Sequence, residues 1–166
     1  CAVDPADLAP AVLALPNVHH FRLNSNDPAL PPLMQAVLGE GRKAQLMVCD
    51  CNIHPLSAVQ IVQSLLHMLE PGGHLIMTLK MRGIARDRTD IFKRLCIVLE
   101  GQLENHRWAA LLSNTKCEAT YVGTRPSLPG PPLDAEKTAA ALEALSAPSF
   151  KHDHTMKPVY HIKAPA

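Results

Sequence analysis

Residues 45–80 read QLMVCDCNIHPLSAVQIVQSLLHMLEPGGHLIMTLK. The run Gln45 to Asp50 is apolar and closes on a carboxylate. Val59, Val62, Leu66 and Leu69 then recur at the spacing of one helix face. Glu70-Pro71-Gly72-Gly73 is expected to stop that helix and turn the chain. The run His74 to Lys80 is apolar again and closes on a cation. Both runs are apolar at successive positions, the pattern of strands buried on both faces of a parallel sheet. A strand–helix–strand unit of this length predicts a right-handed crossover and two parallel strands. Their C-terminal ends share one sheet edge, so Asp50 and Lys80 are expected to meet where open α/β sheets bind ligands.

Bulk properties set the frame for this unit. The chain has 166 residues, 47% of them hydrophobic, and a net charge of +1. That suits one globular domain with a sizeable core and excludes a strongly basic arm. Five cysteines (Cys1, Cys49, Cys51, Cys96 and Cys117) form an odd set at irregular spacing. They imply no disulfide framework, and point to a reducing intracellular compartment (cytoplasm, nucleus or organelle) rather than secretion. No apolar run reaches about 18 residues, so no membrane span is expected, and no signal peptide is visible. The chain opens on Cys1 within what reads as a strand, so it is expected to be the downstream part of a longer or processed polypeptide.

The remaining chain continues the alternation. Ala2-Val3-Asp4 reads as a strand end closed by a carboxylate, and Pro5 suits the first turn of a helix with Leu8, Val12 and Leu15 on one face. Val18 to Leu23 reads as a second strand, and Leu33, Val37 and Leu38 mark a short helix ending at Gly39. After Lys80, residues 81–88 read as a basic loop. Thr89 to Leu103 reads as a helix with Phe92, Leu95, Cys96, Leu99 and Leu103 inward. Trp108 to Leu112 and Glu118 to Gly123 read as the last strands. The order predicts α/β architecture with a mostly parallel sheet over residues 1–125. From Pro126 to Ala166 the composition shifts, with seven of the 15 prolines in this stretch. This segment reads as a Pro-rich extension outside the core, with Asp134 capping an Ala-rich helix that runs to Leu145.

Several side chains are placed to do chemistry. Asp4 ends a strand, where a carboxylate accepts hydrogen bonds from ribose hydroxyls in nucleoside-binding doubly wound folds, or simply caps a turn. Asp50 and Lys80 form a pair in which a carboxylate holds and tunes an amine that takes a proton from a hydroxyl, or else a plain ion pair. Glu118 joins them if its strand lies beside Lys80. Residues 80–94 carry six cations (Lys80, Arg82, Arg86, Arg88, Lys93, Arg94) against Asp87 and Asp90. That local excess suits phosphate contact as well as a solvated helix start. Cys49-x-Cys51 with His54 lacks a second ligand pair at zinc-site spacing, so no metal site is expected.

Taken together, the order AVD, LPNV, LMVCD, LEPGGHLIMTLK and EATYV resembles a Rossmann-type S-adenosylmethionine-dependent methyltransferase. More narrowly it is similar to the FtsJ-like RNA ribose 2′-O-methyltransferases of RlmM type, over about Cys1 to Arg125. That family uses a Lys-Asp-Lys-Glu tetrad around the target 2′-hydroxyl. The resemblance implies that Asp50 is the tetrad aspartate, Lys80 the second lysine and Glu118 the glutamate. It further implies that Asp4, Asn24 and Asp50 contact S-adenosylmethionine. RNA, with rRNA as the expected class, would be met by Arg82, Arg86 and Arg88. The chain departs from the family in two ways. Thr78 occupies the position where many members carry the lysine, with Lys80 two residues further on the same strand face. The family's first lysine, first strand and glycine-rich loop would precede Cys1. The fold class implied is thus an α/β Rossmann-type sheet lacking its first strand and glycine-rich loop in this chain. The missing strand belongs between those ending at Asp4 and Asp50, so an upstream segment or a partner chain is expected to complete the sheet.

Two functions follow from the same residues. One is part of an RNA 2′-O-methyltransferase. The alternative is a non-catalytic, methyltransferase-like structural or RNA-binding component of a ribonucleoprotein assembly. A small-molecule methyltransferase is disfavoured by the basic segment after Lys80.

Overall fold

The computed structural model describes residues 1–80, 88–99, 102–109, 118–128 and 134–146, with 88–92 and 144–146 described as backbone. The chain folds as mixed α/β. In order come β1 (Ala2–Val3), α1 (Pro10–Leu13), β2 (His20–Phe21), α2 (Leu30–Leu38), β3 (Ala44–Cys49), α3 (Pro55–Leu65), a 3₁₀ turn (Leu66–Met68) and β4 (Leu69–Lys80). Then follow α4 (Arg88–Leu99), β5 (Glu104–Ala109), β6 (Glu118–Thr124) and α5 (Ala135–Ser146).

The main sheet has four strands in the order β3-β4-β6-β5. β3 and β4 are parallel, with Val48 opposite Ile76 and Cys49 opposite Met77, as the crossover requires. β6 is antiparallel to both β4 and β5. The sheet is therefore mixed rather than mostly parallel. The short connection from Ala109 to Glu118 accounts for the reversal, because a parallel return needs a dozen or more residues. β1 and β2 pair in parallel in a separate two-stranded sheet. Among the described residues no strand pairs with the outer edge of β3.

One face of the sheet carries the core. Leu75, Met77 and Leu79 of β4 are fully buried. They pack with Val59 and Val62 of α3, Leu95, Val98 and Leu99 of α4, and Tyr121 of β6. Gln63 Nε2 donates to the Val98 carbonyl at 2.9 Å and ties α3 to α4. A second cluster of Leu30, Leu65 and Met68 receives Val3 and Phe21, which seats the two-stranded sheet against α2 and α3. The opposite face of β3 is bare: Leu46 is 52% and Val48 63% exposed. These strands read as buried on both faces, yet the helices cover only one.

Element boundaries differ from the sequence reading where pattern alone decided them. The helix expected from Pro5 is confined to Pro10–Leu13, and Val12, Leu13 and Leu15 are exposed rather than packed. Val18 to Leu23 contributes only the two residues of β2 to a sheet. α4 ends at Leu99, although Leu103 is still buried beyond it. β5 begins at Glu104, ahead of the expected Trp108. Residues 81–87, 110–112 and 129–132, read as loop, strand end and Pro-rich linker, lie outside the described residues. α2 stops at Gly39, whose φ of 93° suits only glycine comfortably. Asp134 Oδ1 accepts from Lys137 N at 3.0 Å and caps α5. α5 is not outside the core, since Ala141 is buried in the main cluster and Leu142 packs against it. Its small alanine face lets the helix approach α4 closely.

The expected Glu70–Gly73 turn is a bulge inside β4. Ala44 and Leu46 of β3 face Leu69 and His74 of β4, so the extra β4 residues loop out. Gly72 N donates to the Arg125 carbonyl and Arg125 N to the Gly73 carbonyl, each at 2.8 Å. These bonds let the strand continue through the bulge. A Cβ on Gly73 would sit 2.9 Å from the Glu70 carbonyl oxygen and 3.0 Å from Leu69 Cδ1. Because one obstacle is backbone, Gly73→Ala is expected to lower stability by about 1–3 kcal/mol, read as a fall in the urea midpoint at unchanged slope. Among the described residues no helix is long and apolar enough to cross a membrane.

Candidate active site

Three strands deliver the site. β3 ends just before Asp50, β4 ends on Lys80 and β6 begins on Glu118. The register sets Lys80 directly opposite Glu118, and parallel pairing brings the end of β3 alongside. Lys80 Nζ lies 2.8 Å from Asp50 Oδ1 and 2.9 Å from Glu118 Oε1. The amine thus bridges two carboxylates of unequal setting. The side chains of Lys80 and Glu118 are 16% and 17% exposed, and that of Asp50 is 62% exposed. Glu118 is the inner partner and Asp50 faces the solvent side.

Burial alone would lower the Lys80 pKa. Hydrogen bonds and charge attraction from Asp50 and Glu118 outweigh it, so the amine is held above the ordinary lysine value. At neutral pH Lys80 is a cation.

The sheet face beneath this cluster grades from apolar to charged toward the edge. Ile76 faces Val122, Thr78 faces Thr120, and Lys80 faces Glu118. Thr78 and Thr120 share a hydroxyl hydrogen bond at 3.3 Å, and Thr120 is buried. The position where the resemblance implies a lysine is therefore filled by a threonine with its own partner, while Lys80 reaches both acids from the next step. This threonine pair was not singled out in the sequence. Its signal was the spacing of two residues from both Lys80 and Glu118, which puts all four on one face.

Asp4 and Asp50 both lie near enough to Cys51 to disfavour its thiolate, so the ends of β1 and β3 face a common region. Asp4 Oδ1 accepts from Ala6 N at 2.8 Å, and its carbonyl is hydrogen-bonded to His20 Nε2 at 3.0 Å. A carboxylate has acceptor capacity beyond that single bond. The Asn24 carbonyl accepts from Asp27 N at 3.0 Å in the turn after β2. His54 caps α3: its Nδ1 accepts from Leu56 N at 3.2 Å, with Pro55 in the first helical turn. Among the described residues no three His, Cys, Asp or Glu side chains converge to hold a metal ion. Arg82 and Arg86 lie outside the described residues, and Arg88 is the first residue of α4.

No protein-family model matches the chain, and no curated protein matches it.

Proposed function

We propose that the chain is part of an FtsJ-like RNA ribose 2′-O-methyltransferase, acting on RNA of the ribosomal class. The observation that carries this reading is the simultaneous contact of Lys80 Nζ with Asp50 and Glu118 at the end of a parallel strand pair. The strand bearing Glu118 lies beside the one bearing Lys80, which is the neighbourhood the resemblance implies. Lys80 takes the proton from the ribose 2′-hydroxyl once it has released its own. Glu118 fixes the amine from within, and Asp50 orients it from the exposed side. Asp4, Asn24 and Asp50 are the residues that would hold S-adenosylmethionine, and the shared neighbourhood of Asp4 and Asp50 fits a cationic ligand rich in hydroxyls. When bound, that cofactor supplies an activated methyl group. Arg82, Arg86 and Arg88 contribute cations for RNA phosphates. A further strand, from an upstream segment or a partner chain, pairs with the open edge of β3 and with it covers Leu46 and Val48.

The test is transfer of labelled methyl from S-adenosylmethionine to rRNA by the native full-length protein and two variants. Glu118→Ala frees the amine from its inner partner, and Asp50→Ala from its outer one. Each is expected to reduce transfer at least about tenfold, through lost positioning. Full transfer by both variants would remove the cluster from the reaction. RNA binding by the wild type without any transfer would favour the non-catalytic ribonucleoprotein component. The separation of the strands into two sheets is the feature that suits that second reading.

A further inference from the structure

Cys49 and Cys51 flank Asp50 on either side in sequence. Strand alternation puts their side chains on the face away from the Asp50 carboxylate. The two thiols are hydrogen-bonded to each other, and Ser25 adds a hydrogen bond to Cys51. Cys49 is 7% exposed and packed into the main core, whereas Cys51 is half-buried at its margin. Across two strand residues the Cα atoms lie about 6–7 Å apart. That is the upper end of the range a disulfide spans, roughly 4.4–6.8 Å. Ile53 N donates to the Cys51 carbonyl at 2.9 Å, which fixes the chain on the far side of Cys51. The last β3 residue, Cys49, is fixed on the other side by its pairing opposite Met77. A bridge between the sulfurs must therefore draw in the backbone at Asp50, the one residue between them.

We propose that Cys49 and Cys51 form a peroxide-oxidised dithiol whose disulfide pulls the Asp50 carboxylate away from Lys80. The coupling to methyl transfer rests on the function proposed above, but the oxidation and the displacement do not. The Cys51 thiolate attacks a hydroperoxide, and the O–O bond breaks. Cys51 becomes the sulfenic acid, and an alcohol or water leaves after taking up a proton. Cys49 sulfur then displaces the sulfenic hydroxyl. An S–S bond forms, and the hydroxyl departs with the Cys49 proton as water. The two thiols lose two electrons, which the peroxide gains. The reactivities are divided accordingly. The hydrogen bond from Cys49 is the main cause that brings Cys51 down to about 6; Ser25 assists, while burial and the Asp50 and Asp4 charges oppose. The same hydrogen bond, and then burial, raise Cys49 far above the ordinary thiol range. Cys51 is the attacking sulfur and Cys49 the resolving one.

The experiment treats the native protein with hydrogen peroxide and maps the products by peptide mass. In parallel it measures how fast Lys80 is acylated by an amine reagent at fixed pH, a readout independent of methyl transfer. The expected result is a Cys49–Cys51 disulfide, reversible by dithiothreitol. With it, Lys80 acylation should rise about tenfold, since losing one carboxylate partner lowers an amine pKa by a unit or more. Cys51→Ser, at the half-buried position, should abolish both changes. Cys49→Ser alters a core position, so Cys51→Ser is the deciding variant. A disulfide to any other cysteine, sulfinic acid at Cys51 in place of a disulfide, or a Cys49–Cys51 disulfide with unchanged Lys80 reactivity would each overturn the proposal. So would a peroxide effect on Lys80 that persists in Cys51→Ser.

Discussion

Lys80→Ala is expected to reduce methyl transfer to RNA by about a hundred- to ten-thousand-fold, the range general base catalysis covers. No other amine touches both Asp50 and Glu118 among the described residues, so no neighbour stands in for it. The sign of the pH dependence follows from the same contacts. The two carboxylates raise the Lys80 pKa, so the proton-accepting form is scarce at neutral pH. Wild-type transfer should rise about tenfold per pH unit from neutral toward the alkaline range, where the amine loses its proton. The linked stability term has the opposite trend. A raised amine pKa stabilises the fold fully below the unfolded lysine value and ceases to do so as pH climbs through the folded one. The substitution also leaves Glu118, 17% exposed, without its cation. A cost of about 1–3 kcal/mol is expected from that loss, so circular dichroism should still show a folded protein. Transfer measured against pH, with folding followed in parallel, separates the two effects.

Leu75→Ala should cost about 2–5 kcal/mol, a larger stability loss than that expected of Gly73→Ala or Lys80→Ala. Leu75 is fully buried in the middle of β4, between the bulge and the site. It faces Met47 on one side and Gly123 on the other. Neither neighbour fills the space: Gly123 has no side chain, and a Cβ there would already meet Tyr121 and Leu103 at 3.0 and 3.2 Å. The cavity should therefore persist, which places the cost toward the upper part of that range. Urea unfolding of the native protein measures it. A loss under about 0.5 kcal/mol would mean that the β4 face is not packed as described.

Sequence reading succeeded where local chemistry and topology agreed. The apolar run to Asp50, the helix with its face at Val59 and Val62, and the run to Lys80 suffice to bring acid and base together. Crossover handedness leaves few alternatives for such a unit. The stop of α2 at Gly39 and the start of α5 at Asp134 were legible because one residue decides each. The Pro71-Gly72-Gly73 bulge was not legible. A strand survives there because Arg125, far along the chain, supplies the hydrogen bonds that those residues would otherwise lack. The reversal of β6 needed the spatial order of strands. The contact between Cys49 and Cys51 was implied by alternation, but their hydrogen bond depends on the turn that follows Cys51. The inner position of Glu118 was likewise unreadable, because burial at a strand start is decided by neighbours distant in sequence.

The role of Lys80 as the base for ribose methylation is tested most directly by nucleoside mass spectrometry. rRNA is incubated with S-adenosylmethionine and either the native protein or Lys80→Ala. A ribose 2′-O-methylated nucleoside is predicted with the native protein, and its loss with the variant. A methyl group on a base, or an equal yield of the 2′-O-methyl nucleoside from Lys80→Ala, would contradict that role.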